Sequence, residues 1–286
     1  MRLLVPVDFS SDSLNALRYA TALASLVQSK ESSEIELLIF HALHLPIGGD
    51  ATFFVDAEML EREEQHLKHK LYQEVNTIPE IHTIPHQVIT KIDMAPQGIT
   101  QILKEEHIDL VIMGVKGKDE SSSSWFGSTT LHVMRHAHCP VLAVPPNTEV
   151  FHPRHVALAS DLKMGKETFS LEYLKKLIQL WQADLHIIHV HPHPAKIGIE
   201  PAEEAMHLDH FFHDVPHTYH FPEDKDPGRG LNHYLQAHPV DLLAIIPRYH
   251  FALDSLFHKS ITKYMSTHTS IPLLAIHEKL ASGYLI

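Results

Sequence analysis

Short, nearly continuous apolar segments alternate along the chain with longer segments that carry apolar residues at helical spacing. The first segment is RLLVPV at 2–7, and apolar residues then recur every three or four positions from Leu14 to Val27. The Ser-Ser-Asp sequence at 10–12 lies between the two and is a typical helix N-cap. Strands that are apolar throughout are covered on both faces, so the alternation predicts a parallel α/β sheet between two layers of helices.

The alternation continues to residue 144, and each apolar segment has the usual length of a strand. The one long polar stretch is rich in acidic residues and has the composition of an exposed helix. In chain order, the predicted elements are strand 35–42, acidic helix 56–75, strand 86–91, a helix containing Ile99, Ile102 and Leu103, strand 109–113 and strand 139–144.

A second copy of this unit follows the first. HIDLVIMGVKG at 107–117 aligns without gaps with PVDLLAIIPRY at 239–249, and HCPVLAV at 138–144 aligns with SIPLLAI at 270–276. Near the start of each copy, LVPVDFS matches ALASDLK in the same way. An internal repeat of this kind predicts two equivalent structural units.

The repeat also predicts the domain organisation. We expect two tandem open parallel five-stranded sheets with helices on both faces, a Rossmann-like arrangement. The predicted domains are 1–145 and 154–286, and residues 146–153 form a linker whose sequence has proline near both ends.

The composition is that of a globular protein, with 44% hydrophobic and 20% charged residues among 286. A net charge of −12 disfavours nucleic acid as a partner, because binding to phosphates requires a cationic surface. No apolar run approaches the ~20 residues that span a bilayer, and the N-terminal segment is too short for a signal peptide, so we expect a cytoplasmic protein. The single Cys139 excludes an intrachain disulfide and is expected to be a packed thiol.

Histidine is unusually abundant, with 27 residues, and full protonation would reverse the sign of the net charge. Two interpretations stay open: a polar surface that happens to be rich in histidine, which the composition favours, or a pH-sensing role. His207, His210 and His213 are spaced by three, but His207 and His213 do not share one helix face. We therefore expect no metal site.

The stretch GVKGKDESSSSWFGST at 114–129 lies between two predicted core strands and contains too few apolar residues to be buried. Its glycines allow a backbone to approach a phosphate closely. Ser128 and Thr129 then open the predicted helix TLHVMRHA, whose free N–H groups favour an anion. The pattern favours a nucleotide-binding loop over a flexible connector.

The same stretch is similar to the nucleotide-binding signature of the universal stress proteins, which is glycine, two residues, glycine, nine residues, then glycine followed by serine or threonine. Gly114, Gly117, Gly127 and Ser128 occupy these places. LVPVDFSSDSLNAL and CPVLAV also resemble that family's first strand-turn-helix and last strand. The likeness covers the whole chain in the tandem two-domain form, most strongly up to residue 145.

The resemblance implies a site for an adenine nucleotide, ATP or else AMP or ADP, with or without Mg²⁺. Asp8 would hydrogen-bond the ribose, and the backbone of Ala42, where the family more often has valine, would meet the adenine. Lys116 would be a charge partner for the phosphates. The other residues implied are Pro6, Val7 and Met113 around the nucleoside and Gly114, Gly117, Gly127, Ser128 and Thr129 around the phosphates.

The resemblance further implies that the last strands of the two copies pair antiparallel and relate the two sheets by a pseudo-twofold axis. This pairing would hide both edges and form an intramolecular pseudo-dimer. A further homodimer stays open, and Phe53 and Phe54 in the insertion 46–64 are either a contact surface or simple packing. The function implied is that of a nucleotide-binding regulatory protein of the stress response.

The second copy departs from the signature. Ile246, Tyr249 and Lys259 replace the three glycines, and Pro247 removes a backbone N–H. We expect this half not to bind ATP in the family's manner and to be structural or to dock partners. Because its strands and helices persist without the glycines, we also expect the glycines of the first copy to serve a ligand and not the fold.

Two other function classes stay open. One is an enzyme that hydrolyses ATP slowly or phosphorylates its own serine-rich loop, although no residue of the loop is an evident general base. The other is an interaction scaffold that binds no nucleotide. The sequence favours a binding protein over both.

Overall fold

The computed structural model of the protein describes most of both halves, namely residues 1–30, 34–43, 57–115, 127–146, 148, 152–162, 168–191, 199–246 and 271–276. The strands are β1 (Arg2–Pro6), β2 (Glu36–Leu43), β3 (His86–Ile92), β4 (Leu110–Gly114), β5 (Val141–Val144), β6 (His155–Ala159), β7 (Asp184–Ile188), β8 (His217–His220), β9 (Leu242–Ile245) and β10 (Leu273–Ala275). The helices are α1 (Ser11–Lys30), α2 (Ala57–Val75), α3 (Ala95–Glu105), α4 (Ser128–His136), α5 (Thr168–Trp181), α6 (Ile199–Phe211) and α7 (Pro227–Ala237), with a 3₁₀ helix at Pro79–Thr83.

All ten strands join one sheet in the order β3-β2-β1-β4-β5-β10-β9-β6-β7-β8. The order within the first half, outward from β5, is repeated in the second half outward from β10. Every neighbouring pair is parallel except β5 and β10, which are antiparallel with Leu142 opposite Leu274. The predicted pairing of the last strands is therefore confirmed, and it merges the two halves into one continuous sheet.

Helices cover both faces of the sheet, as the apolar strands require. Along β1, Leu3 and Val5 belong to the core under α1, α2, α5 and α6, whereas Leu4 belongs to the opposite core under α3, α4 and α7. Each core runs through both halves without a break. The predicted doubly wound α/β fold is confirmed, because strands buried on both faces must alternate between two such cores.

A buried hydrogen bond ties the first helix of the second half to the first half. The Tyr173 hydroxyl of α5 donates to the backbone oxygen of Asp109 at 2.9 Å. Tyr19 of α1 is also buried and lies within electrostatic range of Asp241, which takes the place of Asp109 in the second half. Burial raises the pKa of both Tyr19 and Tyr173, so both hydroxyls stay protonated at neutral pH.

The structure bears on the remaining predictions to different degrees. Cys139 is buried, and burial raises the pKa of its thiol, in keeping with a packed residue. No helix of the described ranges is long and apolar enough to cross a membrane. Phe53 and Phe54 lie outside the described residues, and the domain limits at 145 and 154 stay a prediction.

Candidate functional site

A cleft of about 390 Å³ opens at the carboxyl ends of β1, β2 and β4. The helices that follow β1 and β4 pack on opposite faces of the sheet. Open parallel sheets bind ligands in the crevice between two such helices, outside the carboxyl ends of the strands. The cleft is lined by Pro6, Val7, Asp8, Ser10, Asp12, Ser13, Phe40, His41, Ala42, Ala95, Ile99, Met113, Gly114, Gly127, Ser128, Thr129 and Thr130.

The cleft brings together all but two of the residues that the sequence singled out. These residues come from four separate parts of the chain and meet only because their strands end at one edge. They are Pro6, Val7, Asp8, Ala42, Met113, Gly114, Gly127, Ser128 and Thr129. Lys116 and Gly117 lie outside the described residues, so their place stays a prediction.

The turn from β1 to α1 forms one wall of the cleft. Phe9 adopts a φ of 64°, in the left-handed region that few side chains tolerate, and the chain reverses there. The Ser10 hydroxyl accepts from the backbone N–H of Ser13 at 3.2 Å, so the predicted N-cap is confirmed. Ser10 therefore satisfies one of the free N–H groups of α1.

Asp8 is exposed at this turn and is held by its neighbours. Its Oδ1 accepts from the backbone N–H of Ser10 at 3.0 Å and from the Ser10 hydroxyl at 2.5 Å. Its own N–H donates to Ser13 Oγ at 3.2 Å. Partial burial raises the pKa of Asp8, but the hydrogen bonds from Ser10 and Ser13 outweigh it and leave the pKa below its ordinary value. The carboxylate is therefore ionised and oriented at neutral pH.

His41 ties the end of β2 to the end of β1 at the base of the cleft. Its ring is buried, and Nδ1 lies 2.7 Å from the backbone oxygen of Val7. Because a carbonyl only accepts, Nδ1 carries the hydrogen. The ring also contacts Phe9 at a centroid distance of 4.6 Å, and Lys70 of α2 lies 4.3 Å from the Phe9 ring centroid. These contacts hold the β1–α1 turn in place.

Gly114 is required by packing, which corrects the expectation that the fold does not need the glycines. A Cβ at this position would lie 2.3 Å from the backbone oxygen of Asp12 and 2.8 Å from the backbone nitrogen of Ser13. The end of β4 thus touches the backbone of the first turn of α1, and only glycine allows this approach. The prediction failed because it compared elements and not the distances between them.

Gly127 differs from Gly114 because, within the described structure, neither space nor conformation requires it. No heavy atom of the described residues lies within 4 Å of a Cβ placed there, and its φ of −60° suits any residue. Gly127 is the N-cap of α4 and offers no side chain to the free N–H groups of that helix. Among the described residues, no side chain caps the start of α4 where it faces the cleft.

The second half repeats the turn but not the glycine. Leu162 has a φ of 50° where Phe9 has 64°, and His189 Nδ1 lies 3.0 Å from the backbone oxygen of Ser160, as His41 does from Val7. Ile246 stands in the place of Gly114 and packs partly buried against the core. The rest of the second loop, from Pro247 to Ser270, lies outside the described residues.

Sequence reasoning missed several residues of the cleft wall. Ser10 and Asp12 were assigned only to capping, and His41 drew no attention although it precedes Ala42 directly. The signal that could have found His41 is the repeat itself, since FHA at 40–42 and IHV at 188–190 occupy equivalent strand ends. A polar ring that recurs at two equivalent strand ends indicates a hydrogen bond that both halves need.

The first half of the chain matches a model of the universal stress protein family over residues 1–145. A universal stress protein from Methanocaldococcus jannaschii is 27% identical over 157 residues, which cover 50% of this chain and 93% of that protein.

Two solved structures match nearly the whole chain. A universal stress protein from Archaeoglobus fulgidus has a TM-score of 0.72 at 19% identity and covers 97% of this chain and 98% of its own. A protein of unknown function from Pseudomonas aeruginosa has a TM-score of 0.61 at 14% identity and covers 97% of this chain and 92% of its own. At these identities the likeness establishes the tandem fold.

Proposed function

The chain belongs to the universal stress protein family, and we propose that the cleft of its first half binds an adenine nucleotide, ATP or else ADP or AMP. The second half is then a structural or partner-docking unit without a phosphate site of this kind. The protein acts by binding, as a regulatory protein of the stress response.

The observation that carries the proposal is the uncapped start of α4 beside Gly127. The free N–H groups and the dipole of a helix start favour an anion, and here they face a cleft large enough for a nucleotide. Asp226 at the start of α7 shows the contrast, because its carboxylate accepts from the N–H groups of Gly228 and Arg229 at 2.9 and 3.2 Å. Among the described residues, α4 has no such cap and its start borders the cleft; α3 also begins without a side-chain cap, at Met94.

Charge fixes how a nucleotide would lie in the cleft. Asp8 and Asp12 are the acidic residues of the lining, and both belong to the β1–α1 wall. Phosphates would be repelled from that wall and attracted to α4 on the opposite side. The oriented carboxylate of Asp8 suits the hydroxyl groups of a ribose, and the backbone at Ala42 suits the base. A Mg²⁺ ion bound with the phosphates would offset part of the acidic charge.

Substitution of Gly127 tests the proposal. Asp is among the best N-cap residues, so Gly127→Asp should keep or increase the stability of α4 while its carboxylate takes the place of the phosphates. We expect the Kd for ATP, measured by isothermal titration calorimetry, to rise by at least about tenfold. Unfolding in urea should show no loss of stability.

Gly127→Asn is the matched control, because asparagine caps as well as aspartate without a charge. We expect its Kd to lie between those of the natural protein and Gly127→Asp. Unchanged ATP binding in Gly127→Asp, or no binding by the natural protein at millimolar ATP, would refute the proposed site.

A further inference from the structure

Four histidines and one tyrosine form a cluster on one face of the second half, between its sheet and α7. His155, His186 and His220 lie on the adjacent strands β6, β7 and β8, and Tyr234 and His238 lie in and just after α7. Ring centroids are 5.7 Å apart for His155 and His186, 5.2 Å for His186 and His220, and 5.8 Å for His220 and His238. We call this group the histidine cluster.

The rings of the histidine cluster hold α7 on the sheet. His186 Nδ1 lies 2.8 Å from the Tyr234 hydroxyl, and the Tyr234 ring stacks on His238 at 3.9 Å. His220 also contacts Tyr234, with ring centroids 4.8 Å apart. Tyr234 itself is buried. Contacts of α7 with the outer strands β7 and β8 thus depend on imidazole rings, which can gain a positive charge by protonation.

The first half has no titrating rings at the equivalent positions. The register of its strands places Leu38 and Ile89 where the second half has His186 and His220, and Ile102 stands for Tyr234. The first half packs these positions with apolar side chains. Equivalent positions are therefore occupied by apolar side chains in the first half and mainly by imidazole rings in the second half.

The two outermost histidines of the cluster, His155 and His238, also differ in charge from their equivalents in the first half. Glu106 and His238 are the C-caps of equivalent helices, α3 and α7, and Arg2 and His155 begin equivalent strands. In the first half Arg2 Nη1 lies 2.7 Å from Glu106 Oε2, an ion pair of opposite charges. In the second half both partners are histidines, which carry the same charge when they are protonated.

Among the described residues, few carboxylates face the histidine cluster to offset such charges. Asp184 of β7 lies 3.9 Å from His155 Nδ1, but it is more than half exposed. Asp241 of the loop before β9 is engaged by the backbone N–H groups of Arg154 and His155 at 2.8 and 2.9 Å. From α7 the facing titratable groups are Tyr234 and His238. The cluster therefore gathers more potential positive charges than nearby negative ones.

We propose that the histidine cluster makes the second half of the protein acid-sensitive: protonation of its rings in mild acid loosens α7 from the sheet, while the first half and its cleft stay folded. The proposal does not depend on nucleotide binding. Two unit charges about 5 Å apart near a protein surface repel enough to change an equilibrium constant by about tenfold or more.

The sign of the pH dependence follows from the protonation of the folded and open states. Burial lowers the pKa of His186, and neighbouring His220 and His155 lower it further; burial and His238 lower the pKa of His220. The open state therefore binds more protons than the closed state once the pH falls below the ordinary histidine value of about 6.5. Stability of the α7 contact is present above that pH and is lost as the pH falls below it.

Hydrogen exchange of the full chain, followed by mass spectrometry at pH 7.5 and 5.5, tests the proposal. After correction for the intrinsic exchange rate, we expect protection in 217–238 to fall about tenfold more than protection in the equivalent segment 86–106. In the variant His186→Gln/His220→Gln the two segments should lose protection equally. Should that variant fail to fold at pH 7.5, His186→Leu/His220→Ile uses the residues that the first half accepts at these positions.

His210→Gln/His213→Gln is the matched control, because it removes two stacked but exposed histidines, one in α6 and one just after it, in the same half. It lowers the histidine count equally, so we expect it to keep the acid response of the natural protein. An equal loss of protection in both segments of the natural protein would overturn the proposal. So would a full acid response in the variants that lack His186 and His220.

Discussion

The two halves of the protein share a strand order, a turn and a set of hydrogen bonds, yet they differ where a ligand would bind. Phe9 and Leu162 take the same left-handed conformation, and His41 and His189 make the same bond to the first strand. Gly114 has no counterpart, because Ile246 fills its place. Features kept in both copies are those the fold requires, and features kept in one copy are candidates for function.

Gly114 shows the limit of that comparison. It is absent from the second half, yet packing alone accounts for it in the first, since β4 meets the backbone of α1 there. Gly127 is the glycine for which the described structure gives no packing reason. A difference between the repeats therefore indicates function only at positions where packing does not account for the residue.

The largest expected effect comes from replacing Gly114 with isoleucine, the residue at the equivalent position of the second half. Gly114→Ile places a branched side chain against the backbone of Asp12 and Ser13, so we expect a loss of about 3 kcal/mol or more in the free energy of unfolding. Urea denaturation measures it. Gly127→Ala is the control and should cost less than about 1 kcal/mol, because nothing in the described structure crowds that position. Equal losses would mean that the two glycines do not differ as claimed.

The next largest effect is on nucleotide binding, and it should distinguish Asp8 from Asp161, its equivalent in the second half. Asp8→Asn removes a charged acceptor, so we expect the Kd for ATP to rise about tenfold to a hundredfold in calorimetric titration. Asp161→Asn makes the same change in the second half and should leave the Kd unchanged. An equal effect of the two substitutions on the Kd would mean that nucleotide binding is not confined to the first half.

The contact between the halves gives a smaller effect. Tyr173→Phe removes the buried bond to the backbone oxygen of Asp109, and we expect a loss of about 1 kcal/mol in the free energy of unfolding. Tyr72→Phe on the surface of α2 is the control and should leave the stability within about 0.5 kcal/mol. If Tyr173→Phe proves neutral in urea denaturation, this hydrogen bond does not contribute to the joint between the halves.

The smallest effect concerns the pKa of Asp8. Ser10→Ala removes a hydrogen bond that lowers this pKa, so we expect an upward shift in a carboxyl titration followed by NMR. A lowered pKa adds stability above the ordinary value of about 4, and this stability is lost as the pH falls through the folded value. The variant should therefore be less sensitive to acid in this range. Ser11→Ala, one residue further on, should leave the pKa of Asp8 unchanged.

Most of the fold could be predicted from the sequence, because apolar segments mark most of the strands and the repeat shows the same order twice. Strand β8 was not predicted, since its sequence HTYH has no apolar pattern. The antiparallel joint of β5 and β10 followed from the family resemblance and not from the pattern. The 3₁₀ helix at Pro79–Thr83 was not predicted, since no periodicity extends over so short a segment.

Less of the site could be predicted, because its walls come from contacts across the sheet. Asp8 was found through the family resemblance and Gly127 through the glycine spacing, and both line the cleft. The bond of His41 to Val7 joins residues far apart in the chain, and the close contact of Gly114 with Asp12 does so as well. Spacing along a sequence carries no information on such distances.

The stoichiometry of ATP binding to the full chain tests the central claim most directly. Calorimetric titration should give one nucleotide per chain, and Gly127→Asp should raise the Kd of that binding by at least about tenfold while the protein stays folded. Two equivalent nucleotides per chain would contradict the claim that the halves differ. So would one nucleotide whose binding is unaffected by Gly127→Asp.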